Sequence, residues 1–571
     1  MQNKGKRTVA SALFFAKEIS GLSTGFGKNH ILTRIGNLIA RISKSITYTG
    51  TRTVGCASLA FGLFSLIMHL AKYYFEDNPT VELSTLVISA AVAIVGAPLL
   101  FIDKPLCIAL QDFALTDFIF FEFLSIKRTG RGERVRTLPP IVGIVLGAAL
   151  AVVAFFLPIG YVLLGVGSVI FVAVTLGSPE FAFLSTVLVL PYAQLVPYSD
   201  VILASILGLT IFSFLRKVHL GKRVYVFGIS DAVIYLLIVL VLGFGVIGGG
   251  IPTSESWQYA VFALGYIPAA NMIVNRRLAD CAVNAVLVSA VPISVYAIVM
   301  YIISLAGGSF APMAGFMTSG ASLATYLLVA AALAFVYIGS RSGVSKVLVG
   351  GVMCLCLLGI FTTQAAPVLI VLPVALIAYA IIKWRGAPKE LLIIPFAMPL
   401  AVFFLPMSYL YRISDVFGLN PTLPELRAGL VDSFYSFGEN LFGVGTTDAA
   451  ELLTNTPLGI ACRFGIAVVA VVALVLILRM RQLSVYEGYL ETSSHQNLSS
   501  MTALALFCML AMGYFYDVHS NPKMLLLFFT VFGMSTASLR ISRREYEDRL
   551  GYFGDTSSFE SSDADIALRR R

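Results

Sequence analysis

Charge is scarce in this sequence. Asp, Glu, Lys and Arg make up 12% of its 571 residues, against 58% hydrophobic side chains. A water-soluble globular domain is excluded, since about a quarter of its residues would be charged. The formal net charge of +9 therefore concerns membrane topology and not nucleic acid. Cysteine supplies no framework either. The seven cysteines lie almost wholly within or beside apolar runs, where the thiol is a small packing group. Cys354 and Cys356, two positions apart, diverge by about 200° on a helix and are poorly placed to share a metal. No metal or other cofactor is expected. Nor is a cleavable signal expected, because about fifty residues precede the first apolar run, which is too long for a signal h-region. Ladders of Asp, Glu or Lys inside the apolar runs are missing too, which disfavours an ion-coupled transporter.

What the sequence does have is apolar length. Charge-free runs at 83–102, 232–251 and 347–382 reach or exceed the about 18 residues that a membrane-spanning helix needs. Hydrocarbon cannot satisfy open backbone groups, so such runs must be helical. A transmembrane β-barrel would alternate in polarity at every second residue and would not stay apolar for so long. The expected fold is all-α: a polytopic transmembrane helical bundle of about 14–16 spans with a long outer loop.

Charge distribution orients the bundle. Residues 1–52 carry nine Lys and Arg against the single acid Glu18, which marks a cytoplasmic basic arm. Within it, Ile31, Ile35, Leu38, Ile39 and Ile42 recur at helical spacing, as in an amphipathic helix lying on the anionic inner leaflet; a partner-binding helix is the alternative. The membrane domain runs over 53–539, with an interfacial cytoplasmic segment at 104–138. Bases return after each pair of spans, at Lys127 to Arg136, Arg216 to Arg223, Arg276 and Arg277, Arg341 and Lys346, and Lys383 to Lys389. The outer loops carry many acids and, span ends aside, only Arg412, Arg427 and Lys523 as bases, the asymmetry of a positive-inside protein. Residues 540–571 mix arginines with acids and read as a disordered cytoplasmic tail. Both termini are expected in the cytoplasm of a multi-pass cell-membrane protein.

Candidate chemistry falls in the largest outer loop, 408–456. Arg412 and Arg427 lie in it, and Arg463 follows close by inside the next span. Arginine on the far side of the membrane asks for an anion, and guanidinium suits phosphate because it binds bidentately and keeps its charge. Each also has a plainer reading. Arg412 could snorkel at a span end, Arg427 could pair with Glu425 or Asp432, and Arg463 with Asp448 or Glu451. The run Leu441-Phe442-Gly443-Val444-Gly445-Thr446 contains a turn at Gly443 and Gly445 that could expose backbone N–H groups, or be only a tight turn.

The order of these features resembles the O-antigen ligase and polymerase family, in the branch found with Gram-positive envelopes. Leu405-Pro406 closes a span, then come Arg412-Ile413-Ser414, Leu426-Arg427, Leu441-Phe442-Gly443-Val444-Gly445, Asn455 and Phe464-Gly465-Ile466. Tyr514-Phe515-Tyr516-Asp517 and Asn521-Pro522 resemble the family's final outer turn. Upstream, the basic arm, Pro191 with Pro197 and a span opening with Asp231 also follow the pattern, so the likeness covers most of the chain. There are departures. The family's reactive histidine falls at Thr454, its Glu at Arg463, and its Ser-Arg-Gly motif on Gln364-Ala365-Ala366-Pro367, while its Asn-Pro-Asn turn falls on Ser319-Gly320-Ala321.

The resemblance implies binding of a polyprenyl-diphosphate-linked glycan at the outer face. Arg427, Arg412 and Arg463 would hold the diphosphate beside Gly443, Gly445 and Asn455. Transfer in the family inverts the anomeric carbon, with His as base; here His519, in the last outer turn, is the candidate catalytic base. A glycosyltransferase (ligase or polymerase), a non-catalytic partner within a polysaccharide assembly complex, and a lipid or polysaccharide transporter remain the alternatives. Membrane lipid is an expected partner and nucleic acid is not.

Overall fold

The computed structural model describes residues 49–75, 83–126, 128, 139–195, 198–220, 223–247, 256–308, 312–365, 367–385, 405–417, 422–425, 427–428, 431, 465–487, 493–513 and 521–549, with 18–19, 34 and 38 from the basic arm. The described residues are 85% helical with almost no strand, as expected of an all-α polytopic membrane protein. Among the described residues, seven helices are long and apolar enough to cross a membrane, and seven shorter apolar helices accompany them. Two compact units form: one of residues 27–182 with 212–220, the other of 1–26, 183–211 and 221–571.

The first unit contains α1 (Thr51–Phe75), α2 (Leu83–Leu99), α3 (Leu106–Asp112), α4 (Pro140–Phe156) and α5 (Ile159–Gly177). Proline sets two of these boundaries. Pro140 opens α4 at its first turn, where no N–H is needed, and Pro158 caps α5 in extended conformation, breaking the apolar run in two. Helices α2 and α4 both pack on α1. Lipid tails are as apolar as Leu, so close backbone approach has to supply the packing energy. Gly143 and Gly147, four apart on α4, lie directly against the Thr53 and Ala57 carbonyls of α1. On the α2 side, a Cβ at Gly62 would come within 2.6 Å of the Ser89 carbonyl. Polar side chains join the same seam: Ser65 and Ser89 hydroxyls meet at 2.9 Å, and His69 Nδ1 lies 2.7 Å from the Ser65 carbonyl. Leu63, Ile67, Ile94, Val145 and Leu146 are exposed, the composition of a lipid-facing surface.

The interfacial segment has its own logic. After α3 come one turn, Ala114–Thr116, and a π-helix, Asp117–Phe123. Its described acids are each matched by a flanking base: Lys104 bonds Asp112, and Arg128 reaches Asp117 at 2.6 Å and Glu122 at 3.2 Å. Phe113, Leu115 and Phe118 remain exposed beside these pairs, so the segment presents an apolar strip with neutralised charges.

The boundaries between the units fall inside α6 (Pro179–Val189) and α7 (Ser199–His219). The second unit continues with α8 (Ile229–Ile247), α9 (Ser256–Ala263), α10 (Tyr266–Met272), α11 (Arg276–Ala306), α12 (Gly320–Ile338), α13 (Gly343–Thr362), α14 (Val368–Arg385), α15 (Met407–Phe417), α16 (Ile466–Glu487), α17 (Ser493–Met512) and α18 (Pro522–Arg549). Its centre is α12 and α18. Each buries 83% of its apolar window among the described residues, whereas α13 buries 22%, so α12 and α18 are interior helices and α13 is largely exposed. α12 packs against α11, α13 and α17, while α18 packs against α9, α10 and α17. Gly533 lets α18 approach α10, since a Cβ there would stand 2.9 Å from the Tyr266 carbonyl.

Three elements stand out. The region 256–274 is two short helices, Ser256–Ala263 and Tyr266–Met272, and Gly265 between them lies against Leu526 of α18. The final helix does not stop at Arg540 but continues to Arg549. In the basic arm, Glu18–Ile19 (β1) pairs antiparallel with Phe227–Gly228 (β2). Of the amphipathic stretch 31–42, only Arg34 and Leu38 are described, both helical and exposed.

Candidate functional site

The start of the long loop expected on the outer side folds on itself. Pro406 opens α15, its carbonyl accepting from the Tyr409 and Leu410 amides. Along α15, Leu410 and Ser414 are buried while Tyr409, Tyr411 and Arg412 are exposed, so Arg412 sits on the open face of an amphipathic helix. The Ser414 hydroxyl donates to the Leu410 carbonyl and accepts from the Leu423 amide, both at 2.8 Å. This stitches α15 to the next turn.

That turn is a capping box, Thr422-Leu423-Pro424-Glu425. The Thr422 amide donates to Glu425 Oε2 at 2.8 Å, and the Glu425 amide donates to the Thr422 hydroxyl at 3.4 Å. The Thr422 amide, and then its hydroxyl, hold the Glu425 carboxyl below the usual carboxylate range. Glu425 is thereby occupied with Thr422, and Arg427 forms no ion pair with any described residue. Instead Arg427 Nη1 donates to the Leu405 carbonyl at 3.1 Å. One guanidinium nitrogen ties the turn back to the root of Arg412's helix. Arg463, Gly443, Gly445, Asn455 and His519 lie outside the described residues.

Other segments on the expected outer side do come together. Asn521 Nδ2 donates to the Thr318 hydroxyl at 2.6 Å, joining the final outer turn to the segment that carries Ser319-Gly320-Ala321. The Met313 amide donates to the Thr362 carbonyl at 3.2 Å, and Gln364 adopts φ 54°, the left-handed conformation. Lys523, the third outer base, is buried and satisfied: its Nζ reaches Asp200 at 3.1 Å and the Ser199 hydroxyl at 3.0 Å. Lys523 is thus a structural cation, which leaves Arg412 and Arg427, among the described bases of the expected outer side, as the ones open to a ligand.

The largest polar network lies at the opposite end of α18, and sequence reasoning missed it. Arg540 donates to the Ala270 carbonyl at 2.8 Å, Asn271 Oδ1 at 3.2 Å, the Val226 carbonyl at 3.1 Å and Asp231 Oδ2 at 2.7 Å. Asp231 also accepts from the Gly228 amide at 2.6 Å and from the Tyr266 hydroxyl. None of the buried side-chain polar atoms of Asp231, Arg540, Tyr266 and Asn271 lacks a partner, the condition under which a buried ion pair can stabilise a fold. Nearby, burial pushes the Tyr225 hydroxyl above its ordinary pKa. The only sequence signal was Asp231 at the head of an apolar run; nothing marked Arg540 apart from the tail arginines.

No cluster of three or more His, Cys, Asp or Glu that could hold a metal exists among the described residues. Neither a protein-family profile, nor a curated protein, nor a solved structure matches this chain.

Proposed function

We propose that this is an O-antigen ligase-like protein of cell-envelope polysaccharide assembly. It binds a polyprenyl-diphosphate-linked glycan at the outer face of the membrane. The observation that supports this reading is the state of Arg427: a loop arginine whose neighbouring carboxylate, Glu425, is committed to Thr422, and which has only the neutral Leu405 carbonyl as partner among the described residues. Arg412 stands exposed on the helix whose root Arg427 contacts. Guanidinium groups so placed suit the oxygens of a diphosphate. Arg463, Gly443, Gly445 and Asn455 complete the proposed diphosphate cradle, and His519 is the proposed base.

A second reading, a non-catalytic partner within a polysaccharide assembly complex, is favoured by one observation. Thr454 stands where the family it resembles has histidine, and Gln364-Ala365-Ala366-Pro367 supplies no arginine.

Purified protein given lipid-linked oligosaccharide separates the two. Polymer or ligated product identifies the transferase; binding without product identifies the partner. In either case Arg427→Ala is expected to weaken binding by about tenfold, the loss of one charge-assisted contact. Unchanged binding would remove Arg427 from the site.

A further inference from the structure

The second unit holds a cavity among the bases that the charge pattern assigns to the cytoplasm. Its volume is about 200 Å³, and its lining combines Arg276, Asp280 and Arg341 with the apolar Leu498, Met501 and Ile541. This space exceeds that of a single water several-fold.

The charges in it do not cancel. Arg341 is held in place by Asp280 at 3.0 Å, by the Tyr337 hydroxyl and by the Tyr337 ring, whose centroid lies 4.3 Å from the guanidinium carbon. Asp280 is thereby matched. Arg276 is left over: it is exposed and forms no ion pair with any described residue. Two guanidinium groups facing one carboxylate leave one net positive charge in the cavity. Arg276 is also the first residue of the 31-residue helix α11, capped by Asn275 Oδ1 accepting from the Leu278 amide at 2.9 Å, so the helix dipole adds to the same field.

We propose that this cavity binds a phosphate ester, with Arg276 and Arg341 on its oxygens. The arginines fit the phosphate, and Leu498, Met501 and Ile541 in the same lining fit an apolar body attached to it. Both features belong to the head and glycerol region of an anionic lipid, and basic pockets between spans take such headgroups. The site is independent of the outer-face reading, and neither depends on the other.

The test uses the full-length protein in neutral detergent, with phosphatidylglycerol and phosphatidylcholine as lipid probes retained in native mass spectrometry. Inorganic phosphate is tested separately by thermal shift. Arg276→Ala removes an exposed, unpaired side chain and leaves the Asp280 to Arg341 pair intact. Lys346→Ala, an exposed cation on the same face but outside the cavity, is the control. The expected result is preferential retention of phosphatidylglycerol, about tenfold weaker in Arg276→Ala and unchanged in Lys346→Ala. Stabilisation by inorganic phosphate alone, lost in Arg276→Ala, would keep the site and assign it to a soluble phosphate. Equal retention of both lipids without a phosphate effect, or equal losses in the two variants, would overturn the proposal.

Discussion

Asp231 and Arg540, separated by 309 positions, meet at 2.7 Å in the interior of the second unit, with 2% and 12% of their side chains exposed. The contact fastens the end of the last span to the start of α8, and through Gly228 and Val226 it reaches the short strand that pairs with the basic arm.

Arg540→Ala would leave the Asp231 carboxylate buried without its counter-charge, a loss that typically costs about 3–5 kcal/mol. The expected outcome is a large fall in the midpoint of thermal unfolding in detergent. Arg540→Lys should restore little of it, because an ammonium cannot reach the four acceptors that the planar guanidinium spans. A full rescue by lysine would show that charge alone matters.

The glycine seam between α1 and α4 makes a sharper contrast. Gly147→Val places a side chain against the Ala57 carbonyl, and such overpacking costs about 1–3 kcal/mol. Gly165→Ala, on α5 with nothing within 4 Å of its added methyl, should be neutral or stabilising by up to about 1 kcal/mol through helix propensity. Thermal unfolding of the two variants side by side checks the seam.

The capping box at Thr422 has a pH signature. Its Glu425 carboxyl is held below its ordinary value, about 4.3 in the unfolded chain. A depressed carboxyl contributes above that value and loses its contribution as pH falls through the lower folded one. Protection of the Thr422 amide against hydrogen exchange, corrected for intrinsic rates, should be full at neutral pH. It should fade below about pH 4 and be absent at all pH values in Glu425→Ala.

How much of this was legible follows from what each residue faces. Span boundaries could be read because Pro158 and the charged turns act locally, and α2 begins at residue 83 as its apolar run does. Which spans are interior could not be read from hydropathy, since α12 and α13 are almost equally apolar. The signal was side-chain size: α12 carries Ala330, Ala331, Ala332 and Ala334, which let neighbours close in. Arg540 was hidden for a related reason. A charge after an apolar run marks the end of a span unless a carboxylate distant in sequence receives it, and the pairing with Asp231 exists only in the folded chain. In the outer loop, the Thr-x-x-Glu box was local and readable but went unread, and it decides that Glu425 is not Arg427's partner.

The placement of Arg412 and Arg427 on the outer face carries the proposed ligand, and one labelling measurement addresses it. In a cysteine-free background, the Arg412→Cys variant in intact cells should react with a membrane-impermeant maleimide, while Lys346→Cys should react only after permeabilisation. The reverse pattern would put the arginine loop in the cytosol, away from any outer-leaflet diphosphate, and would contradict the proposed function.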